Sequence, residues 1–274
     1  MVGANPDKEL AFMNDLFVAT EWGERFAELV NEHVVLPPEG QVVYLGAGTG
    51  GHVIALQEKA GNCLKFLGID ENRECLELAR AKAAATKGAV EFSQQRIDDL
   101  ELRNDEFDLA LADASLIDPQ RVRKVLTETI RVVKPEGIVM LTLPTASSFG
   151  EFFSLYWEAL YNCGLTDHEA DVEALISELP TVSEIENHAE QEGLEEITSW
   201  TRVEEFDYES GEQFLNAPLI SHFLMVGWLE FLPEDSRERV TNEIARLVDE
   251  DRHAAEFALS VKATLIVGRK SRSN

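Results

Sequence analysis

The chain has 274 residues, 45% of them hydrophobic, which is enough for one large domain or for a core with an added subdomain. Its 24 basic and 51 acidic residues give a formal charge of −27, and a surface this negative disfavours DNA or RNA as a partner because it repels phosphate backbones. The sequence lacks an uncharged apolar run of about 18 residues, so no membrane span is expected.

The N-terminus and the cysteine content predict where in the cell the protein is located. The N-terminus has no basic region ahead of an apolar stretch, so it does not resemble a signal peptide. The cysteines are scattered and odd in number, and the histidines are dispersed, which together predict reduced thiols, a cytoplasmic location and no metal site. The three cysteines are Cys63, Cys75 and Cys163.

The first half of the chain predicts a parallel α/β sheet. Residues 1–38 contain apolar residues at helical spacing and are expected to form one or two amphipathic N-terminal helices. Short apolar strands then alternate with helical stretches and tight turns, which is typical of a sheet covered by helices on both faces. These strands are expected at residues 42–45, 63–69, 90–93, 107–112 and 138–143.

The second half predicts two helical insertions. Residues 145–180 and 211–252 look helical, and each follows a strand at the carboxyl edge of the sheet, where ligands bind in open α/β sheets. We therefore expect both to form a lid over a substrate. The remaining core would comprise residues 39–144, 181–210 and 253–270. The aromatic residues of the first insertion, including Phe149, Phe153 and Trp157, favour packing within the lid over an apolar pocket wall.

The turn after the first strand carries the most informative motif. The loop from Gly46 to Gly51 joins a strand to a helix, and its glycines let the backbone approach a ligand while the helix N-terminus offers amides to an anion. Gly46, Gly48 and Gly51 fit the dinucleotide-binding pattern GxGxxG, whereas Gly46, Gly48 and Gly50 fit a GxGxG pattern. Alone, the loop is a weak signal, since a tight turn needs glycine for structural reasons.

Asp70 strengthens the interpretation of this loop. It lies twenty residues after Gly50, at the end of the next predicted strand. A carboxylate at that place can accept hydrogen bonds from both hydroxyls of a ribose. The alternative is an ordinary N-cap for the helix that follows. The glycine loop at this distance favours the ribose role.

Several motifs together resemble a known family. VVYLGAGTGG, FLGID, VEFSQQRIDDL, FDLALADASL and RVVKPEGIVMLTL look like the successive motifs of class I S-adenosylmethionine-dependent methyltransferases over residues 40–143. EFALSVKATLIVGRK is similar to that family's last strand. The resemblance is strongest to the small-molecule branch with helical insertions. It implies a Rossmann-like, seven-stranded mixed sheet whose last strand is antiparallel and lies beside the sixth.

The resemblance also implies a set of binding residues for S-adenosyl-L-methionine. The methionine part would lie over Gly46, Ala47, Gly48 and Gly50. Asp70 would hold the ribose, with Glu71 and Asn72 flanking the adenosine. Arg96 and Ile97 would contact the adenine, and Ala112 and Asp113 would lie beside the reactive sulfonium. Asp113 is the candidate base by position, and the acceptor would be a small molecule.

Two residues depart from the family pattern. Tyr44 stands where an acid usually orients the methionine amine, and Arg96 stands where an aspartate usually reads the adenine amino group, although Asp98 or Asp99 could substitute. These departures leave open a non-catalytic or altered-ligand protein of the same fold. A nicotinamide-dependent oxidoreductase is the third alternative, because GxGxxG is also present, but no hydride-transfer constellation follows it.

Overall fold

The computed structural model describes residues 6–86, 90–251 and 257–272. These contain a seven-stranded sheet with the strand order β3-β2-β1-β4-β5-β7-β6. The strands are β1 (Gly40–Leu45), β2 (Leu64–Asp70), β3 (Val90–Gln94), β4 (Phe107–Asp113), β5 (Val133–Pro144), β6 (Leu194–Tyr208) and β7 (Phe257–Lys270). The five strands predicted in the first half of the chain are all present.

The first five strands are parallel, and the last is not. β1 pairs in parallel with β2 and β4, and β2–β3 and β4–β5 are parallel as well. β7 lies between β5 and β6 and runs antiparallel to them. Its end is tied to the start of β5, because Lys270 Nζ donates to the carbonyl of Val133, 2.8 Å away. The predicted mixed sheet is confirmed.

Eleven α-helices lie in the described residues. They are α1 (Pro6–Met13), α2 (Glu24–His33), α3 (Gly51–Ala60), α4 (Arg73–Thr86), α5 (Pro119–Val132), α6 (Gly150–Asn162), α7 (Glu169–Glu178), α8 (Val182–Gln191), α9 (Gly211–Asn216), α10 (Met225–Trp228) and α11 (Glu234–Asp251). A π-helical stretch, Asn14–Gly23, joins α1 to α2, and a second, Ile220–Leu224, precedes α10.

Local sequence explains where several helices begin. Asp118 caps α5 by accepting a hydrogen bond from the amide of Gln120, and Pro119 follows at the first helical position, where its missing N–H costs nothing. At α8, Thr181 and Glu184 form a reciprocal capping box. Thr181 is therefore the N-cap of this helix.

The chain divides into two compact units. The first contains Met1–Leu143, Thr181–Thr201 and Ala263–Asn274, and the second contains Pro144–Pro180 and Arg202–Lys262. Two of the boundaries between the units lie within strands: one in β6, after Thr201, and one in β7, before Ala263. Of the residues assigned from sequence to the N-terminal helices, the second insertion and the final core segment, 1–5 and 252–256 lie outside the described residues.

The core of the first unit lies on both faces of the sheet. Val43 and Leu45 pack with α5 and α8, whereas Val42 and Tyr44 pack with apolar residues of α2 and α3. Successive residues of β1 thus bury opposite faces, as the two-residue period of a strand requires. This alternation explains why the strand reads as a continuous apolar run.

The second unit has an aromatic interior. The rings of Phe152 and Trp228 stack with centroids 4.2 Å apart, and the hydroxyl of Tyr156 donates a 2.8 Å hydrogen bond to the carbonyl of Trp228. Phe149 and Phe153 of the aromatic series are also buried. These contacts support the packing role that the sequence favoured for this series.

The second predicted insertion is more interrupted than its composition suggested. Residues 211–252 were expected to be helical throughout, but α9, α10 and α11 are separate, with a non-helical segment at 229–233. Pro233 explains the last break, since proline has no backbone N–H and restricts the residue before it.

Candidate functional site

The glycine loop takes a conformation that only glycine adopts easily. Gly46, Gly48 and Gly50 have φ angles of 72°, 52° and 82°. A Cβ on Gly46 would lie 2.4 Å from the carbonyl oxygen of Asp113, and one on Gly50 would lie 2.8 Å from Cβ of Ala79. These two glycines are therefore required for packing.

Gly48 and Gly51 differ from the other loop glycines. Apart from adjacent residues, a Cβ on either would have no atom of the described residues within 4 Å. Gly48 thus borders open space at the end of β1, and no side chain caps the first turn of α3 at Gly50. Helix amides at such a place attract an anion or a polar ligand.

Asp70 lies directly against this loop. Its Oδ2 accepts a 2.7 Å hydrogen bond from the amide of Gly48, and its Oδ1 accepts a 2.8 Å hydrogen bond from the amide of Asn72. Burial raises the pKa of Asp70, and the charge of Asp113 adds to that rise, while the two amides oppose it. Each carboxylate oxygen has a second lone pair, so the group retains capacity for further donors.

The helix that follows Asp70 is capped by a different residue. Oδ1 of Asn72 accepts hydrogen bonds from the amides of Glu74 and Cys75, at 2.9 and 3.1 Å, in the first turn of α4. The N-cap of α4 is therefore Asn72 and not Asp70. The side chain of Asn72 itself is engaged by the helix rather than directed freely to a ligand.

Glu71 belongs to a charged network beside the loop. Arg121 of α5 pairs with both Glu71 and Asp98, and Oε1 of Glu71 also accepts the amide of Ile97 at 3.2 Å. Hydrogen bonds from Arg121 and then Arg96 hold the pKa of Asp98 well below its usual range. This network fixes the segment on which the predicted adenine contacts lie.

The two predicted adenine contacts, Arg96 and Ile97, differ in their exposure. Ile97 is 1% exposed and lies within the apolar core, so its side chain offers little surface for a ring. Arg96 is largely exposed and is held against Asp98 by two hydrogen bonds, of 3.1 and 3.0 Å. Asp98 cannot easily read an adenine amino group, because each of its oxygens already accepts two hydrogen bonds, one from Arg96 and one from Arg121.

Asp113 and Ala112 end β4 next to the loop. Ala112 is fully buried, and Asp113 is half-buried. Oδ1 of Asp113 accepts the amide of Ser115 at 3.0 Å and the hydroxyl of Thr142 at 3.3 Å. Burial raises the pKa of Asp113. The cap of α5 is Asp118, so Asp113 does not cap that helix.

Tyr44 has a partner that the sequence did not reveal. Its hydroxyl lies 3.0 Å from Nδ1 of His52, in the first turn of α3. Burial raises the pKa of Tyr44 well above its usual value and lowers the pKa of His52 to about 4, so both side chains are neutral near pH 7. Nε2 of His52 is buried and has no hydrogen-bond partner among the described residues. A neutral polar pair thus replaces the acid expected here.

Three further residues at the loop were not predicted. Thr49 donates a 2.5 Å hydrogen bond to Asp15 of the π-helical stretch, and Lys82 of α4 pairs with the same carboxylate. No pattern in the sequence pointed to them, because Asp15 and Lys82 read as solvated charges on amphipathic helices. Trp22, in the same π-helical stretch as Asp15, is 1% exposed and packs on Phe26.

The described part of the chain has neither a candidate metal cluster nor a membrane-spanning helix. Residues 6–86, 90–251 and 257–272 contain no group of three or more His, Cys, Asp or Glu side chains that could hold a metal ion. Within the same ranges no helix has both the length and the apolar character needed to cross a bilayer.

Comparison with known proteins gives the class of this site. Residues 42–137 match the family model of a methyltransferase domain. This match shows that the chain carries a methyltransferase domain, which agrees with the predicted resemblance to the class I S-adenosylmethionine-dependent family. The predicted family is confirmed.

The relatives share this domain with the chain, not its whole length. The glycine/sarcosine/dimethylglycine N-methyltransferase of Actinopolyspora halophila is 30% identical over 127 residues, which cover 45% of this chain and 22% of that relative. The chain thus spans well under two thirds of its first curated relatives.

Solved structures agree on the fold. The YcgJ protein of Bacillus subtilis matches with a TM-score of 0.60 at 18% identity, over 91% of this chain and all of that one. The Haemonchus contortus phosphoethanolamine N-methyltransferase 2, solved with phosphomonomethylethanolamine and S-adenosylhomocysteine, has a TM-score of 0.53 at 16% identity. It is matched over 92% of this chain and 53% of its own.

Proposed function

We propose that the chain binds S-adenosylmethionine at the glycine loop and transfers its methyl group to a small molecule. The observation that carries the proposal is the hydrogen bond between Gly48 and Asp70, which brings a carboxylate with spare lone pairs to the edge of an open, uncapped loop. The family match over residues 42–137 supports the same ligand. The antiparallel β7 argues against a dinucleotide fold, whose sheet is mostly parallel.

The residues of the site fit the ligand in three ways. The open space at Gly48 would accommodate the cofactor's amino-acid part, the buried Nε2 of His52 would gain a polar partner, and Asp70 would accept the ribose hydroxyls. When bound, S-adenosylmethionine would supply an electrophilic methyl carbon, to which the acceptor atom would bond as the carbon–sulfur bond breaks, leaving S-adenosylhomocysteine. Orienting the two reactants and excluding water can supply much of the rate.

We propose Asp113 as the residue that takes the acceptor's proton. It ends β4 beside Gly46, and its half-buried carboxylate has a raised pKa, which makes it a stronger base than an exposed aspartate. Asp113→Asn should then lower turnover while leaving the affinity for S-adenosylhomocysteine within about threefold. An equal loss in both would assign Asp113 to binding instead.

Titration calorimetry with S-adenosylmethionine, S-adenosylhomocysteine and NAD tests the proposed ligand. The two sulfur nucleosides should bind and NAD should not, and NAD binding alone would establish the oxidoreductase alternative. Transfer of a labelled methyl group to small acceptors then tests the activity. Glycine and its N-methylated forms are the first acceptors to try, because the Actinopolyspora relative is named for them. Binding without transfer to any acceptor would favour the non-catalytic alternative.

A further inference from the structure

The loop that borders the open space is held from two sides. Asp70 fixes the amide of Gly48 from the sheet, and Asp15 fixes the side chain of Thr49 from the N-terminal helices. Thr49 lies between two glycines with positive φ and is itself 3% exposed. The contact with Asp15 therefore restrains the peptide units on either side of Thr49, where the two neighbouring residues are glycines.

The contact with Asp15 is polar, charged and partly buried. Oδ1 of Asp15 accepts from both the hydroxyl of Thr49 and the ammonium of Lys82, and Nζ of Lys82 also lies 3.3 Å from Oγ1 of Thr49. The side chains of Asp15 and Lys82 are only 20% and 35% exposed. Hydrogen bonds to charged groups are stronger than neutral ones, and partial burial reduces their screening by salt.

The N-terminal helices do not need Asp15 in order to dock. Ala11, Val18 and Trp22 are each 2% exposed or less, so apolar packing secures the segment. Lys8 adds a long ion pair of 3.9 Å to Glu74 of α4, away from the loop. The triad of Asp15, Thr49 and Lys82 is thus a polar connection from a docked helix to the loop, in addition to the packing.

We propose that Asp15 is a positioning residue for the cofactor loop, acting through Thr49. By restraining a glycine-rich loop before the ligand arrives, the contact lowers the conformational entropy that binding has to remove. The same contact couples the docking of the N-terminal segment to occupancy of the site, since linkage between the two equilibria is reciprocal. This inference rests on the proposed function, because its ligand is the same nucleoside.

Affinity for S-adenosylhomocysteine, measured by calorimetry, tests the connection with two single variants and their combination. Asp15→Ala and Thr49→Val should each weaken binding about tenfold, the effect of losing about 1.4 kcal/mol. The double variant should be no more than about threefold weaker than either single variant, because both remove the same bond. Lys8→Ala, which removes the ion pair between Lys8 and Glu74 on the same segment, is the matched control and should bind normally.

Hydrogen exchange of residues 6–23 provides the second readout. S-adenosylhomocysteine should slow exchange in this segment of the wild-type chain, and this effect should be smaller in Thr49→Val, which leaves the segment's own residues unchanged. Normal affinity in both single variants, or equal weakening by Lys8→Ala, would overturn the inference while leaving the proposed function intact. A folded wild-type chain that binds no sulfur nucleoside would overturn both.

Discussion

The amide of Gly48 donates a 2.7 Å hydrogen bond to Oδ2 of Asp70, which joins the loop after β1 to the end of β2. Parallel strands place their carboxyl ends at one edge of the sheet, and β1 and β2 are direct neighbours. The register places Leu45 opposite Ile69, so the residues that follow each strand meet. The contact therefore follows from topology, and it sets the carboxylate at the edge of the loop's open space.

The open space at Gly48 gives the first prediction. Gly48→Ala should weaken binding of S-adenosylhomocysteine at least about tenfold, because the added methyl group projects where the protein has no atoms and the ligand is proposed to lie. Calorimetry measures this change.

A second glycine separates occlusion from backbone strain. Gly164 also has a positive φ, 68°, and open space around its Cβ position, but it lies at the end of α6 in the second unit. Both substitutions should cost about 1–2 kcal/mol of folding free energy through the left-handed conformation. If Gly164→Ala weakens the ligand as much as Gly48→Ala does, strain and not occlusion is responsible.

Much of this site could be anticipated from the sequence, and the reasons are physical. The loop and Asp70 directly follow the ends of two strands, and in a parallel sheet the order of the strands determines which of these ends are adjacent. The contacts of Tyr44 with His52 and of Asp15 with Thr49 could not be predicted in the same way. Each depends on how a helix rotates and where it docks, and the polar residues involved are not distinguished by spacing or by type.

The burial of Ile97 shows a different limit. The resemblance predicts that Ile97 contacts the adenine, and this stays a prediction, but a residue's identity does not determine which side of a short segment faces the core. The amide of Ile97 is bound by Glu71, and its side chain lies in the apolar cluster with Ile69 and Val122.

The pair formed by Tyr44 and His52 gives the second prediction. Tyr44→Phe removes the hydroxyl that lies 3.0 Å from Nδ1 of His52, leaving a buried ring nitrogen without this partner. The free energy of unfolding in urea should fall by about 1–3 kcal/mol. Tyr161→Phe is the matched control, since this tyrosine is 71% exposed, and its stability should change by less than about 0.5 kcal/mol. Equal effects of the two substitutions would contradict the assignment.

Two substitutions of His52 distinguish its ring nitrogens. Asparagine places an amide near the position of Nδ1 and keeps a contact with Tyr44, whereas glutamine places one near Nε2. If Nε2 meets the cofactor, His52→Asn should weaken S-adenosylhomocysteine more than His52→Gln does. Binding of 5′-methylthioadenosine, which lacks the amino-acid end, should be the same in both. A loss shared by the two nucleosides would show a general distortion of the loop.

The network around Arg121 gives a prediction with a pH dependence. Arg121→Met removes the largest cause of the lowered pKa of Asp98, whose side chain is 4% exposed. A carboxyl with a lowered pKa in the folded state stabilises the fold above its unfolded pKa of about 3.9, and this contribution is lost as the pH falls towards the folded pKa. The variant should therefore be less stable than the wild-type chain at pH 7, by about 2 kcal/mol or more. The difference should shrink below about pH 4.

Arg246 is the matched control for this prediction. It also pairs with two carboxylates, Glu243 and Glu250, but the side chains of Arg246 and Glu250 are 46% and 62% exposed. Exposed pairs of this kind contribute little to stability. Urea unfolding of Arg246→Met should show a much smaller loss at pH 7, and a loss as large as that of Arg121→Met would mean that burial of Asp98 is not the reason.

The carboxylate of Asp70 carries the central claim, and calorimetry with S-adenosylhomocysteine on the wild-type chain and on Asp70→Asn tests it most directly. Asparagine keeps the size of the side chain but turns one of its two acceptors into a donor, so affinity should fall at least about tenfold, while Glu91→Gln, at an exposed site on β3, should bind normally. Wild-type binding that is unchanged in Asp70→Asn, or no binding by a folded wild-type chain, would contradict the account.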